Sequence, residues 1–483
     1  MPDLTFLSAA EMASQIREKR ISPVELADSH LKKIETLNPK LNAFAHVDAD
    51  RVRRDALAAE AAVNHGESLG PLPGVPISIK SSIDVAGFRC EAGTRLRAGF
   101  VPKTDAPLVQ RLRKAGAIIL GVTNAPELLM AWETDSLLYG RTNSPWDLQR
   151  TPGGSSGGEA AAIAAGMSAG GVGSDGGGSI RVPAHFSGIC GLKPTPGRIP
   201  ATGHFPPSGG PFALLGVVGP MARTASDLKL LFEVMQGPDD GDSCAAPVPV
   251  RWPAEDELKR LKIGYFEDDG RTPVAPEIRD GVRKAADALN RAGFEVEPFR
   301  PAGLEEARVL WKRFFVKLGG KLIAPMFNGR EQDRSPILQQ FLEWSAAEPE
   351  LTAGSLLDTW IQRDLLRGKF LAQMQKFPVL LCPPAAILAF RHGERHWTID
   401  GKDLTYLDAW SYTEWFNLLG NPAAVVPVSR SADGLPVGVQ IVGRPWEEEQ
   451  VLGIAAVVEQ ACGAWRVPPM CAADADSSWG SAG

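Results

Sequence analysis

Apolar residues first recur at helical spacing and then give way to short unbroken apolar runs that alternate with helical stretches. Val24, Ala27, Leu31, Ile34 and Leu37 fall on one helix face. Their start is marked by Ser22-Pro23-Val24-Glu25, which combines a serine cap, a proline at the first helical position and a glutamate at the third. Ser8 with Glu11 marks an earlier start of the same kind, and the longer helix is expected to stop before Asn38-Pro39. A third helix is expected over residues 49–64.

A Gly/Pro-rich turn at 70–74 leads into a short strand, residues 75–80, that ends in Lys80. A helix over 106–115 precedes the glycine-bounded apolar run 116–122, which has the pattern of a buried strand. The alternation returns at 262–266, 276–292 and 294–296, with further strands at 378–381 and 438–442. Alternation of this kind implies an α/β fold, a large mixed and mostly parallel twisted sheet covered by helices on both faces. Residues 303–376 interrupt it with nearly continuous helix signals. They are expected to form a helical elaboration packed on the sheet and over the site, with Trp311, Phe314, Phe315, Leu356, Leu357, Trp360 and Ile361 chiefly as core. One domain over residues 1–470 and a disordered tail over 471–483 follow.

Composition changes this picture little. The 483 residues are 44% apolar and 22% charged, an ordinary globular mixture, and the net charge of -6 leaves no footprint for nucleic acid. No apolar run approaches the roughly 18 residues of a membrane span, and no secretory pattern opens the chain, so a cytoplasmic protein is expected. Six widely spaced cysteines without a CxxC pair argue for reduced thiols.

The chemistry concentrates in residues 150–200. Glycine and serine are dense there, but the apolar helical run 159–167 rules out a simple flexible linker. Gly171-x-Gly173-x-x-Gly176 matches a dinucleotide fingerprint without a strand before it or a helix opening on it. Gly153-Gly154-Ser155-Ser156-Gly157 matches the nucleophile elbow of α/β-hydrolases, yet residues 146–152 make a poor strand. His185, His204, His392 and His396 are the histidines that could serve such a serine. His392 and His396 have metal-ligand spacing around a helix-weakening glycine, and no metal is expected.

A stronger signal joins three separated pieces. Lys80 ends an apolar strand, where burial would disfavour its charge and make it a usable base. Ser155 lies in Gly-Gly-Ser-Ser-Gly-Gly, and Ser179 follows Gly176, Gly177 and Gly178. Unhindered amides beside a serine suit an oxyanion hole beside its nucleophile.

These residues resemble the amidase signature hydrolases. The likeness rests on Gly74-Val75-Pro76-Ile77-Ser78-Ile79-Lys80, on Gly121-Val122-Thr123-Asn124-Ala125-Pro126-Glu127 and on the stretch from Pro152 to Gly197. It extends to Phe416-Asn417-Leu418-Leu419-Gly420-Asn421-Pro422 and to residues 433–445. The resemblance implies Ser179 as nucleophile, Ser155 as proton relay behind a cis peptide bond from Gly154, and neutral Lys80 as base. It further implies an oxyanion hole from the amides of Gly176, Gly177, Gly178 and Ser179, supporting roles for Gly154, Ser156, Asp175 and Arg181, and no cofactor. Departures are Ser81 and Ser82 where an acid commonly follows the lysine, Gly176 and Val122 at usually different positions, and His185 where a small residue is usual.

Similar enzymes line their acyl pocket with the segment that here contains Leu129, Met130 and Trp132. Their size and apolarity lead us to expect a small-molecule hydrophobic acyl or aryl amide as substrate, with ester and carbamate cleavage open to the same acyl-transfer chemistry. The glutaminase-type component of a glutamyl-tRNA amidotransferase is the alternative, and an inactive binding module on the same fold a more distant one. A homodimer remains open.

Overall fold

Both N-terminal start signals become helix caps in the computed structural model, which describes residues 3–67, 69–463 and 465–476. In α1 (Ala9–Arg17) Ser8 and Glu11 cap reciprocally, and in α2 (Pro23–Leu41) the Ser22 side chain accepts from the Val24 and Glu25 amides. α2 runs past the expected stop and holds Pro39 in its last turn. Asn38 makes this possible: its carbonyl accepts from the Asn42 amide at 2.7 Å, and its side chain accepts from the amides of Ala43 and Phe44 at 2.8 Å. α3 (Ala49–Asn64) spans the expected residues.

Eleven strands form one sheet. In chain order they are β1 (Phe44–Val47), β2 (Pro76–Lys80), β3 (Ile118–Thr123), β4 (Gly170–Asp175), β5 (Cys190–Lys193), β6 (Val217–Ala222), β7 (Lys262–Tyr265), β8 (Glu295–Pro298), β9 (Val379–Cys382), β10 (Ala423–Arg430) and β11 (Pro436–Val442). Across the sheet the order is β1-β3-β2-β4-β6-β5-β10-β11-β9-β7-β8. The sheet is mixed, but parallel pairing is the minority. It joins β2 to β3 and β4, and β7 to β8 and β9, on either side of an antiparallel centre. That centre includes the tight connection between β10 and β11, where the Ser431 amide donates to the Leu435 carbonyl at 2.8 Å.

Every residue of β2, β3 and β4 is buried, so both faces of the sheet are covered there, which explains the unbroken apolar runs. Side chains alternate along a strand, so Ser78 and Lys80 share one face while Ile77 and Ile79 share the other. α4 (Pro107–Lys114) precedes β3; α5 (Gly157–Ala164) packs on the Lys80 face, and α6 (Arg181–Ser187) follows β4.

Residues 303–376 form the expected helical block between β8 and β9, with a π-helical stretch, Lys312–Lys317. Trp311 and Phe314 are core, but Leu357 and Ile361 are 62% and 49% exposed, because the helix Ala353–Gln373 turns that face to solvent. The expected disordered tail begins within a helix, Pro469–Asp476, in which Cys471 is buried; residues 477–483 lie outside those described. Among the described residues no helix is long and apolar enough to cross a membrane.

Because Ser22 caps α2 and its hydroxyl also bonds Glu60 of α3, Ser22→Ala should lower stability by about 1 kcal/mol, read as a lower urea midpoint.

Candidate active site

The end of β2, the start of α5 and the end of β4 meet at one point. Lys80 Nζ, fully buried, lies 2.7 Å from Ser155 Oγ, 2.9 Å from Ser156 Oγ and 3.0 Å from Ser174 Oγ. Burial lowers its pKa to about 7, against the opposing pull of Asp175 and Glu159. A neutral lysine amine carries two N–H donors and one lone pair, which matches three hydroxyls. The Ser156 hydroxyl donates to the Ser174 carbonyl at 3.3 Å, so it receives a hydrogen from the lysine. The Ser155 hydroxyl can therefore donate to the lone pair.

The peptide bond between Gly154 and Ser155 is cis. Gly154 has to be glycine, since a Cβ there would sit 2.6 Å from the Glu133 carbonyl carbon. The Ser156 amide donates to the Ser179 carbonyl at 3.1 Å, which ties the two glycine clusters together.

Asp175 and Arg181 organise the loop between β4 and α6. The Asp175 carboxylate accepts from the amides of Gly178 and Ile180 at 2.8 and 3.0 Å and from Arg181 at 2.9 and 3.0 Å. Burial works against its charge, but the Arg181 guanidinium and these donors hold the carboxyl well below the usual range. Arg181 in turn donates to Gln440 at 2.6 Å and Asn417 at 2.5 Å, both fully buried. Sequence reasoning gives neither of these two a role, although both lie in the stretches that carry the family likeness.

The backbone of Gly176 and Gly177 is anchored through its carbonyls. Trp311 Nε1 donates to Gly176 at 3.1 Å; Trp132 Nε1 and Thr413 Oγ1 donate to Gly177 at 2.8 and 2.9 Å. Among the described residues no internal acceptor takes the amides of Gly176, Gly177 or Ser179. The Gly178 amide, by contrast, is spent on Asp175, and Gly178 has φ 116°, a conformation that favours glycine. The expected oxyanion donors thus reduce from four amides to three.

Ser155, Ser174 and Ser179 open onto a cleft of about 660 Å³, mouth included. Leu129 and Met130 line it as expected, with Phe212, Leu215 and, from the helical block, Phe315. Trp132 does not. It is buried, stacks on Trp410 at 5.5 Å and holds the Gly177 carbonyl, so it acts on the loop from behind. Sequence alone could not tell a wall residue from one behind the wall.

The histidines serve elsewhere. His185 Nδ1 accepts from the Gly438 amide at 2.8 Å, and burial lowers its pKa to about 4. His204 lines the cleft, but its Nδ1 faces the Pro206 carbonyl at 2.9 Å, and burial lowers it to about 4 as well. Ser155 meets a lysine rather than a histidine, which removes the elbow-type reading. His392 precedes a turn and His396 begins the short strand His396–Ile399, so they do not share a helix face. Among the described residues no group of three or more His, Cys, Asp or Glu is placed to hold a metal ion.

A family model described as Amidase matches residues 25–452. The chain is 34% identical to the GatA-type component of the glutamyl-tRNA(Gln) amidotransferase of Moorella thermoacetica over 95% of its length and 97% of that protein. It is 33% identical to an acylamidase of Rhodococcus erythropolis over 95% of its length and 97% of that protein. The crystal structure of a bacterial aryl acylamidase of the amidase signature family superposes with a TM-score of 0.85 at 27% identity, covering 97% of this chain and 98% of that one.

Removing the carboxylate that neutralises a fully buried guanidinium is strongly destabilising, so Asp175→Ala should cost roughly 3–5 kcal/mol, visible as a lower thermal midpoint.

Proposed function

The chain belongs to the amidase signature family of amide-hydrolysing enzymes, and on that premise we propose that it cleaves hydrophobic acyl or aryl amides through an acyl-enzyme on Ser179. One observation carries the reading: a fully buried lysine amine whose hydrogen-bonding side chains are three serines, one of them Ser155 on the wall of the cleft that holds Ser179.

In the proposed reaction Ser179 Oγ attacks the substrate carbonyl carbon. Its proton passes to Ser155 Oγ, whose own proton passes to the lone pair of Lys80 Nζ. The carbonyl oxygen becomes an oxyanion held by the amides of Gly176, Gly177 and Ser179, whose carbonyl-side anchoring leaves little reorganisation for the reaction to require. When the C–N bond breaks, the proton returns from Lys80 through Ser155 to the leaving nitrogen. Water then repeats the sequence and releases the acid. Ser156, Ser174, Asp175 and Arg181 support these groups, with Gly154 allowing the close approach.

The lining favours an apolar acyl group. Of the residues on the cleft wall, Asp175 is committed to Arg181 and His204 is neutral, and the rest carry no charge. A glutaminase-type amidotransferase component is the second reading, favoured by the identity to the Moorella protein. Glutamine, however, carries an α-ammonium and an α-carboxylate, and neither would meet a free counter-charge on these walls.

Three outcomes test the proposal. Lys80→Ala should lower kcat roughly 10³-fold, and wild-type kcat/KM should fall as pH drops below about 7, where Lys80 gains a proton and ceases to be a base. A fluorophosphonate should label Ser179; an adduct that survives Ser179→Ala and disappears in Ser155→Ala would reverse the two serines. Aryl amides should be preferred over glutamine in kcat/KM by at least ~10²-fold, and the opposite order would favour the glutaminase reading.

A further inference from the structure

The proposed reaction leaves one buried acid beside the site without a task. Glu159, the third residue of α5, is fully shielded from solvent. One carboxylate oxygen accepts from Ser78 Oγ and the other from Thr123 Oγ1, the latter at 2.8 Å. Ser78 lies two residues before Lys80 on β2, so both side chains leave the same face of the sheet about 7 Å apart along the strand. Thr123 is the residue paired with Lys80 across β2 and β3. Glu159 is therefore held by the two residues that flank Lys80 within the sheet, one along its strand and one across from it. Gly171, paired with Ser78 from β4, leaves the room, since a Cβ there would overlap the Glu159 carboxylate.

The charged groups around Glu159 are few. Among the elements packed against α5, β3 and β6 carry no ionisable residue, and β2 contributes Lys80. Asp175 at the end of β4 and Arg181 at the start of α6 neutralise each other in a buried ion pair. His185 of α6 is neutral and hydrogen-bonded to the Gly438 amide, and His46 lies on the edge strand β1.

We propose that Glu159 is a positioning residue for Lys80: its carboxylate supplies the uncommitted negative charge nearest the buried amine and pins α5, with Ser155 just before it, against β2 and β3. Burial raises Glu159 to about 7 and lowers Lys80 to about 7, while each charge favours the other. The two groups thus titrate together near neutrality. Without the anion, burial alone would drive the lysine further toward its neutral form and leave it a weaker acceptor for the serine proton.

The inference rests on Lys80 being the base, and the loss of activity in Lys80→Ala tests that separately. In Glu159→Gln the acidic limb of kcat/KM for an aryl amide should move to lower pH by about 1 unit, because the charge that helped Lys80 hold its proton is gone. The plateau kcat should fall while KM stays near the wild-type value. A limb that stays at the wild-type pH, with Lys80→Ala inactive, would overturn the role of Glu159 and leave the lysine-base reading intact. If Glu159→Gln does not fold, Ser78→Ala removes one of the two hydroxyls that favour the ionised carboxylate. Its limb should move the same way by a smaller amount, and an unmoved limb would overturn the proposal.

Discussion

A lysine amine buried without a carboxylate in hydrogen-bond contact is the constraint on which the rest of this site depends. An isolated ammonium in such a place is costly, and the least expensive escape is to lose the proton. Burial does this to Lys80, and three serine hydroxyls supply the hydrogen-bonding that a neutral amine needs. Each flanking element answers to that requirement. β2 brings the lysine in on an all-buried strand, α5 presents Ser155 and Ser156 at its start, and β4 ends with Ser174 beside them.

The nucleophile loop is held by the opposite strategy, a charge pair fully satisfied within the protein. Asp175 and Arg181 bind each other, the loop amides, and side chains from two distant stretches of chain, Asn417 and Gln440. A network with no spare partner is rigid, and rigidity is what an oxyanion hole requires. Indole donors from Trp132 and Trp311 grip the Gly177 and Gly176 carbonyls on the far side of the same peptide units. The helical block therefore does more than cover the cleft: through Trp311 it fixes part of the loop, and through Phe315 it forms part of the wall.

Much of this was legible in the chain, and the parts that were not have physical reasons. Start signals such as Ser22-Pro23-Val24-Glu25 are local, so the helices they announce formed where expected. Lys80, Ser155 and Ser179 stood out because glycine clusters and a lysine ending an apolar strand are unusual in themselves. Properties set by long-range contact were hidden. Whether Trp132 lines the cleft or backs the loop depends on where Gly177 falls in space, and the spent amide of Gly178 depends on the rotamer of Asp175. The antiparallel centre of the sheet could not be read from alternating strands and helices, because it arises from how distant strands such as β5 and β10 pair. Pro39 misled because its neighbour Asn38 closes the helix around it. Glu159, an acid within an apolar helical run, was visible but had no assignable partner until Ser78 and Thr123 were found against it.

The state of the Lys80 amine is the quantity from which the rest follows, and it can be measured directly. With lysine labelled at Cε and Lys80→Arg as the assignment control, the ¹³C shift of Lys80 followed from pH 5 to 10 should report a midpoint near 7, with the neutral amine dominant at pH 8.5. A Lys80 signal that keeps the ammonium shift through pH 9 would contradict the account, since a permanently protonated lysine cannot accept the serine proton.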